Sequence, residues 1–216
     1  MTQTFNAWKV GMPFYLPCLI IGVGWAVVFR ESHWVWLSVP FLLFGGFALF
    51  FFRDPPRVTS SDAHDIIAPA DGRIIAVDDL ESTPYYDGPC KRIAIFMSLF
   101  NAHVNRSPVT GTVYRIEYKP GEFKPAMKKE ASEVNEATTL FMDSDHGRVT
   151  VRQIAGMVAR RIVCIVEEGH DLEQGQRFGM IRFGSCAELY LPPDTAPCVK
   201  LGDKVKAGIS VVARFQ

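Results

Sequence analysis

The sequence predicts a mainly β domain preceded by an N-terminal hairpin of two apolar helices. Two apolar runs, residues 14–29 and 34–52, fill most of the first 52 positions and are separated by a short polar break. After residue 60 the pattern changes to short β-rich runs between Gly, Pro and Asp, which is typical of strands joined by tight turns. Pro55 and Pro56 forbid further helix, so we divide the chain into a hairpin, 1–57, and a β domain, 58–216.

The composition excludes several kinds of partner and site. The 216 residues contain 23 Lys and Arg against 23 Asp and Glu, so no bulk charge favours nucleic acid as a partner. Five cysteines, an odd number without CxxC spacing, predict reduced thiols rather than a disulfide framework or a zinc site. The histidines are widely separated, and we expect no metal site.

The two apolar runs predict a membrane-associated hairpin. They are 16 and 19 residues long, slightly short of the about 20 residues that cross a bilayer. Helices without a polar face must be covered by lipid or protein, so a buried hairpin of a soluble core is the alternative. Lys9, Arg53 and Arg57 flank the pair, whereas Arg30 lies in its turn. This bias predicts that both ends, and the domain that follows, lie on the cytoplasmic side of the cell membrane. The runs do not decide between a spanning and a monotopic hairpin.

The β domain is expected to contain a series of short strands. Residues 66–77 indicate two strands joined by an Asp-Gly turn. Further strands are predicted at residues 92–99, 111–118, 140–142 and 149–151, the last two joined by a hairpin turn at 143–147. Residues 155–166 fit a strand or a short helix, and the charged residues 121–137 indicate a loop.

A faint internal repeat supports an antiparallel fold. Residues 173–183 and 201–215 each contain a polar turn, a glycine and an alternating strand. These turns resemble the hairpins of lipoyl- and biotinyl-carrier domains. We therefore expect a mostly antiparallel sandwich or barrel with few short helices.

Three residues could supply an acid, a base and a nucleophile. Ser185 follows Gly184 inside the alternating strand 182–192, and Asp71 lies in an Ala-Pro-Ala-Asp-Gly turn. His103 opens a polar loop after a buried strand. A Ser-His-Asp arrangement is recognised by roles rather than by sequence order, so the three are candidates for one site.

Other residues near these candidates allow different chemistry. Arg106 could pair with a carboxylate or a phosphate. Cys186 is a rival nucleophile, but nothing near it in the sequence indicates a lowered pKa. The exposed-nucleophile motif G-x-S-x-G is absent.

Five segments together resemble the pyruvoyl-dependent phosphatidylserine decarboxylase family, in its short bacterial and archaeal form. They run in family order over nearly the whole chain: Phe-Arg-Asp-Pro at 52–55, Ala-Pro-Ala-Asp-Gly at 68–72, Phe-Asn-Ala-His-Val-Asn-Arg-Ser-Pro at 100–108, residues 153–162, and Arg-Phe-Gly-Ser at 182–185. Each segment is modest alone, but their joint occurrence behind an apolar hairpin is specific.

The resemblance implies a proenzyme that makes its own cofactor. The chain would be cut between Gly184 and Ser185 into a β chain, 1–184, and an α chain, 185–216, which stay together as a heterodimer and could form a higher oligomer. Ser185 would become a covalent pyruvoyl group (pyruvate), with His103 as the base and Asp71 orienting it. That group would form a Schiff base with phosphatidylserine in the membrane, release carbon dioxide and leave phosphatidylethanolamine, a step of phospholipid biosynthesis. Arg106 is a candidate substrate contact.

The sequence departs from the family pattern at one place, and two alternative functions remain open. Some branches of the family carry a second histidine where this chain has Asn105 and Arg106, so His103 could serve self-cleavage, decarboxylation or both. An acyl hydrolase with an intact Ser185 is one alternative. The other is a membrane-tethered carrier, suggested by the Met127-Lys128 step.

Overall fold

A computed structural model describes residues 5–59, 62–125, 127, 130–157, 161–182 and 185–216. Its contacts divide the described chain into two compact units, residues 6–55 and residues 56–216 together with Phe5. Arg57 therefore belongs to the second unit, although the sequence places it at the end of the hairpin.

The first unit is a pair of packed helices joined by a 3-10 turn. Helix α1 covers Ala7–Val28, the turn covers His33–Leu37, and helix α2 covers Ser38–Phe51. Asn6 caps α1 by accepting a hydrogen bond from the amide of Lys9, which is why the helix begins before the apolar run does. A Cβ added to Gly22 would lie 2.8 Å from a Leu42 methyl carbon. The small residue thus lets the two helices approach closely.

The exposed surface of the helix pair is also apolar. Both helical segments, Ala7–Val28 and His33–Phe51, are long and apolar enough to cross a membrane, with mean hydropathies of 1.8 and 1.9. Large apolar side chains such as Val28 and Trp36 are more than two-thirds exposed. The pair is compatible with membrane association, because lipid covers such surfaces at no cost.

The second unit confirms the mainly β, antiparallel prediction. Its strands are β1 Asp65–Ile67, β2 Gly72–Leu80, β3 Cys90–Met97, β4 Val104–Arg106, β5 Gly111–Lys119, β6 Ala137–Ser144, β7 Gly147–Ala155, β8 Ile162–Cys164, β9 Asp171–Leu172, β10 Arg177–Ile181, β11 Ser185–Leu191, β12 Ala196–Pro197, β13 Lys204–Val205 and β14 Val211–Arg214. A short helix, α3, covers Ala131–Val134. An eight-stranded sheet has the order β13-β2-β3-β11-β7-β6-β5-β9, and two three-stranded sheets have the orders β1-β14-β12 and β4-β10-β8.

The structure confirms one of the two predicted hairpins and contradicts the other. The hairpin at residues 140–151 is confirmed, because β6 and β7 pair along their whole length. The Asp-Gly hairpin at residues 66–77 is wrong: β1 pairs with β14, whereas β2 pairs with β3 and β13. The ambiguous residues 155–166 contain the end of β7 and all of β8, with 158–160 outside the described residues. The predicted loop 121–137 contains α3 and the start of β6.

The two copies of the faint repeat occupy matching places. Strand β10, from the first copy, is the central strand of β4-β10-β8, and strand β14, from the second, is the central strand of β1-β14-β12. Their turn glycines, Gly175 and Gly202, have φ of 81° and 92°, a conformation in which glycine carries no steric penalty.

Candidate active site

Ser185 is the first residue of β11, a central strand of the large sheet. It pairs with Met97 on β3 and with Ala155 on β7, and it is fully buried. Side chains alternate along a strand, so Ser185 points to the same face as Ala187, which belongs to the main apolar core. Its hydroxyl donates to the Met97 sulfur at 3.2 Å. A thioether is a weak acceptor, so little energy holds the hydroxyl there.

His103 lies in the connection between β3 and β4 and is also fully buried. Its ring Nδ1 is 2.9 Å from the backbone oxygen of Asn101. A carbonyl oxygen only accepts, so we assign the ring proton to Nδ1, which leaves the basic lone pair on Nε2. The Asn101 side chain in turn accepts from the amide and hydroxyl of Ser98. The turn after β3 therefore fixes the imidazole.

Strand pairing brings His103 toward Ser185. The His103 carbonyl accepts from the Ile181 amide at 3.3 Å, at the end of β10. Ile181 precedes Ser185 by four residues, which can span at most about 14 Å. Gly184, the other residue of the expected cleavage site, lies outside the described residues.

Asp71 lies between β1 and β2 with different partners from those expected. Its carboxylate accepts from the Arg57 guanidinium at 2.9 and 3.2 Å and from the Ala207 amide at 2.8 Å. Within the described ranges, the His103 imidazole is not one of its hydrogen-bond partners. The Asn101 carbonyl holds the histidine ring instead, and Asp71 shares a cavity with Asn101. The orienting role of Asp71 stays a prediction.

Arg106 is built into the fold, with an exposure of only 5%. Its guanidinium donates to the Gly175 carbonyl at 3.1 Å, and its amide donates to the Pro69 carbonyl at 3.0 Å. Arg106 thus joins the turn before β2 to the turn before β10. The predicted substrate contact stays a prediction.

A cavity of about 440 Å³ opens beside these elements. Its lining includes Asp71, Phe96, Ser98 and Asn101. The remaining lining residues include three basic ones: Arg73, Lys204 and Lys206. Phe96 pairs with Cys186, so its side chain lies on the face of the sheet away from Ser185, and the cavity lies beside the end of β3. Its basic residues suit an anionic ligand.

Cys186 points to the opposite face of the sheet from Ser185. It lines a separate cavity of about 570 Å³ together with Glu188 and Arg92. Burial, reinforced by the charge of Glu188, strongly raises the pKa of the Cys186 thiol. A buried, protonated thiol is a poor nucleophile, so the structure argues against Cys186 as the rival of Ser185.

We therefore expect iodoacetamide to leave Cys186 unlabelled in the folded protein at neutral pH. Cys198 is exposed and should label readily, which provides the internal control. Peptide mapping after native and denaturing alkylation measures both sites. Rapid native labelling of Cys186, together with loss of activity in Cys186→Ala, would contradict this account.

Comparison with known proteins identifies the family. The model of the phosphatidylserine decarboxylase family matches residues 44–213. The chain belongs to this family. Relatives named phosphatidylserine decarboxylase proenzyme are 42% identical over 211 residues in Magnetococcus marinus and 45% identical over 209 residues in Nitrosomonas eutropha. Each alignment covers 96% of this chain and 94% of the relative.

Membership of the phosphatidylserine decarboxylase family confirms the resemblance and the prediction of a carboxy-lyase. Sequence reasoning nevertheless missed the contacts of three polar residues. Arg57 was read as a membrane-flanking charge, and Asn105 was noted only as a departure from the histidine pattern. Gln153, which donates to Asn105 at 2.8 Å, was not singled out. A polar residue within an apolar strand is the signal that could have found it.

Proposed function

We propose that this chain decarboxylates phosphatidylserine to phosphatidylethanolamine and carbon dioxide, using a pyruvoyl group that it makes from Ser185. The observation that carries the proposal is the position of Ser185: it begins a central strand, buried, with its hydroxyl on a weakly accepting thioether. The names of the proenzyme relatives support the substrate and the need for processing.

Self-cleavage begins when the Ser185 hydroxyl attacks the carbonyl carbon of the preceding residue. A bond forms between Oγ and that carbon, the peptide C–N bond breaks, and the amide becomes an ester. His103 takes the hydroxyl proton at Nε2 and returns it to the Ser185 nitrogen. Its neutral tautomer, held by the Asn101 carbonyl, is the form that can accept this proton.

Elimination then separates the two chains. Loss of the Ser185 α-proton breaks the bond between Cβ and Oγ, which releases the carboxylate of residue 184 and leaves dehydroalanine. Tautomerisation and hydrolysis with one water release ammonia and leave pyruvoyl at position 185. The neighbours of Ser185 across the sheet, Met97 and Ala155, are uncharged, so they fit a group that carries no charge and no donor.

A pyruvoyl group at position 185 would supply a ketone that can bind the substrate amine and an electron sink for the loss of carbon dioxide. The surrounding chain keeps this position of the sheet fully buried. Asp71, held by Arg57 and the Ala207 amide, keeps a fixed charge in the basic cavity.

The two chains are expected to stay together after the cut. Strand β11 of the α chain pairs with β3 and β7 of the β chain on both of its edges. Strands β13 and β14 of the α chain pair with β2 and β1. Cleavage removes one covalent bond and leaves these ladders in place, which supports a heterodimer.

The apolar helices support a lipid substrate and a location at the cell membrane. We infer that the domain faces the cytoplasm, from Lys9 and Arg53 at the ends of the hairpin and Arg30 in its turn. Arg57 no longer contributes to this argument, because its guanidinium is paired with Asp71.

The basic cavity is our candidate for the phosphate of the lipid headgroup. Lys204→Ala combined with Lys206→Ala should raise KM for phosphatidylserine about three- to tenfold, as expected for a contact of ~1 kcal/mol, with little change in kcat. Lys200→Ala, in the separate cavity that Cys186 lines, is the matched control. Assays on mixed vesicles measure both constants. An unchanged KM in the double variant would remove this cavity from substrate binding.

The function is tested by incubating the purified full chain with phosphatidylserine vesicles. We expect equal amounts of phosphatidylethanolamine and carbon dioxide, and loss of both after reduction with borohydride in the presence of substrate. An uncut chain that reacts with a fluorophosphonate and releases fatty acid would instead indicate an acyl hydrolase. A biotin-reactive blot at Lys128, which lies outside the described residues, would indicate a carrier.

A further inference from the structure

A pair of buried side-chain amides lies next to Ser185. Asn105 on β4 and Gln153 on β7 are both fully buried, and the Gln153 Nε2 donates to the Asn105 Oδ1 at 2.8 Å. Gln153 pairs with Ala187 on β11, so it faces the same side of the sheet as Ser185, one diagonal step away.

The hydrogen bond from Gln153 sets the direction of the Asn105 amide. With Oδ1 occupied as an acceptor, the Nδ2 group of Asn105 points to the Pro69 carbonyl at 3.3 Å and the Met97 sulfur at 4.0 Å. The second contact is weak because of both its length and its acceptor. One N–H of the oriented amide therefore donates to the Pro69 carbonyl, and the other has only the weak contact with sulfur.

Met97 joins this donor to the reacting group. Its sulfur accepts from the Asn105 amide at 4.0 Å and from the Ser185 hydroxyl at 3.2 Å. Both hydrogen bonds to the sulfur can be broken at a low cost in free energy. When Ser185 attacks, Oγ and the resulting oxyanion are attached to the same carbon, so a donor that shares the Met97 sulfur with Oγ is a candidate donor to the oxyanion.

Packing alone does not explain this pair. In the part of the chain that the structure describes, the Gln153 Oε1 is buried without a hydrogen-bond partner. A buried acceptor without a partner destabilises the fold, and an apolar pair of similar shape in place of both amides would avoid that cost. Residues that lower stability in this way are concentrated at functional sites.

We propose that Asn105 donates to the oxyanion formed during Ser185 attack, and that Gln153 is the positioning residue that fixes the Asn105 amide. The proposal rests on the proposed self-cleavage. Asn105 transfers no atom in this step. It keeps its protons, and its hydrogen bond becomes stronger as negative charge develops on the oxygen.

The test follows self-cleavage of the full chain after cell-free synthesis into lipid nanodiscs. Asn105→Leu should slow cleavage about 100-fold or more, as expected for loss of an oxyanion donor. Gln153→Leu should slow it by about tenfold, because the donor remains but is no longer fixed. The double variant should be no slower than Asn105→Leu, since Gln153 acts through Asn105.

Two further readouts separate this role from a structural one. In the uncut Ser185→Ala background, the Tm of Gln153→Leu shows whether the variant is folded, so that slow cleavage of a folded variant reports the loss of positioning. Hydroxylamine, which cleaves esters, should not cut the Asn105→Leu precursor, because the ester has not formed. The matched control is Ser107→Ala, which removes a buried hydroxyl that donates to the Val109 carbonyl at 2.7 Å and the Met142 sulfur at 3.8 Å, and it should cleave at the normal rate.

The outcomes are distinguishable from failure of the proposed function. If folded wild-type chain is never cut, the proposed function fails. If wild type is cut and Asn105→Leu is cut at the same rate, only the role of Asn105 is wrong. Additive slowing in the double variant, or a hydroxylamine-sensitive ester in Asn105→Leu, would also overturn it.

Discussion

Ser185→Ala is expected to leave a single full-length chain without detectable decarboxylase activity. Without the hydroxyl there is no nucleophile for the first step and no source for the pyruvoyl group. The fold should tolerate the change, because the hydroxyl donates only to the Met97 sulfur in the described structure and alanine fits the same buried space. Denaturing gels measure the cut, and carbon dioxide release measures the activity.

Two controls sharpen this result. Cys186→Ala changes the next residue, which points to the other face of the sheet, and it should be cut and active. The Tm of the Ser185→Ala precursor shows whether it is folded. A Ser185→Ala chain cut at the normal position would remove Ser185 from the mechanism.

His103→Ala is expected to slow self-cleavage by a factor on the order of 10² to 10⁴, the usual contribution of a general base. The precursor should accumulate without a hydroxylamine-sensitive ester, because the attack itself is slowed. His64→Ala is the matched control, since His64 is a mostly exposed histidine paired with Asp62. Pulse-chase analysis of the full chain gives the rates.

The same variant separates the two possible roles of His103. Any chain that His103→Ala does process can be assayed per pyruvoyl group formed. Normal turnover would limit His103 to self-cleavage, whereas a lowered kcat would extend its role to decarboxylation. Normal processing together with normal turnover would exclude His103 as the base.

Local sequence patterns predicted the elements better than their pairing. The β6–β7 hairpin was predicted correctly because its turn and both strands are contiguous. The strands around Asp71 were assigned to one hairpin by a strong Asp-Gly signal, yet β1 and β2 belong to different sheets. The partner of β1 is β14, at the other end of the domain, and no local pattern reports such a pairing.

Sequence motifs select the candidate residues but do not give their contacts. Ser185, His103 and Asp71 were found by motif, and Ser185 and His103 lie buried at neighbouring strand ends. That the Asn101 carbonyl holds the imidazole depends on the conformation of one turn. The pairing of Arg57 with Asp71, like that of Asn105 with Gln153, joins segments distant in the chain, so only the folded structure reveals it.

The most direct test of the central claim is a denaturing mass spectrum of the purified protein. We expect two polypeptides that meet between residues 184 and 185, with the smaller one lighter by one ammonia than the same peptide beginning with serine. A single intact chain from a folded, membrane-reconstituted preparation would contradict the claim that Ser185 generates the cofactor.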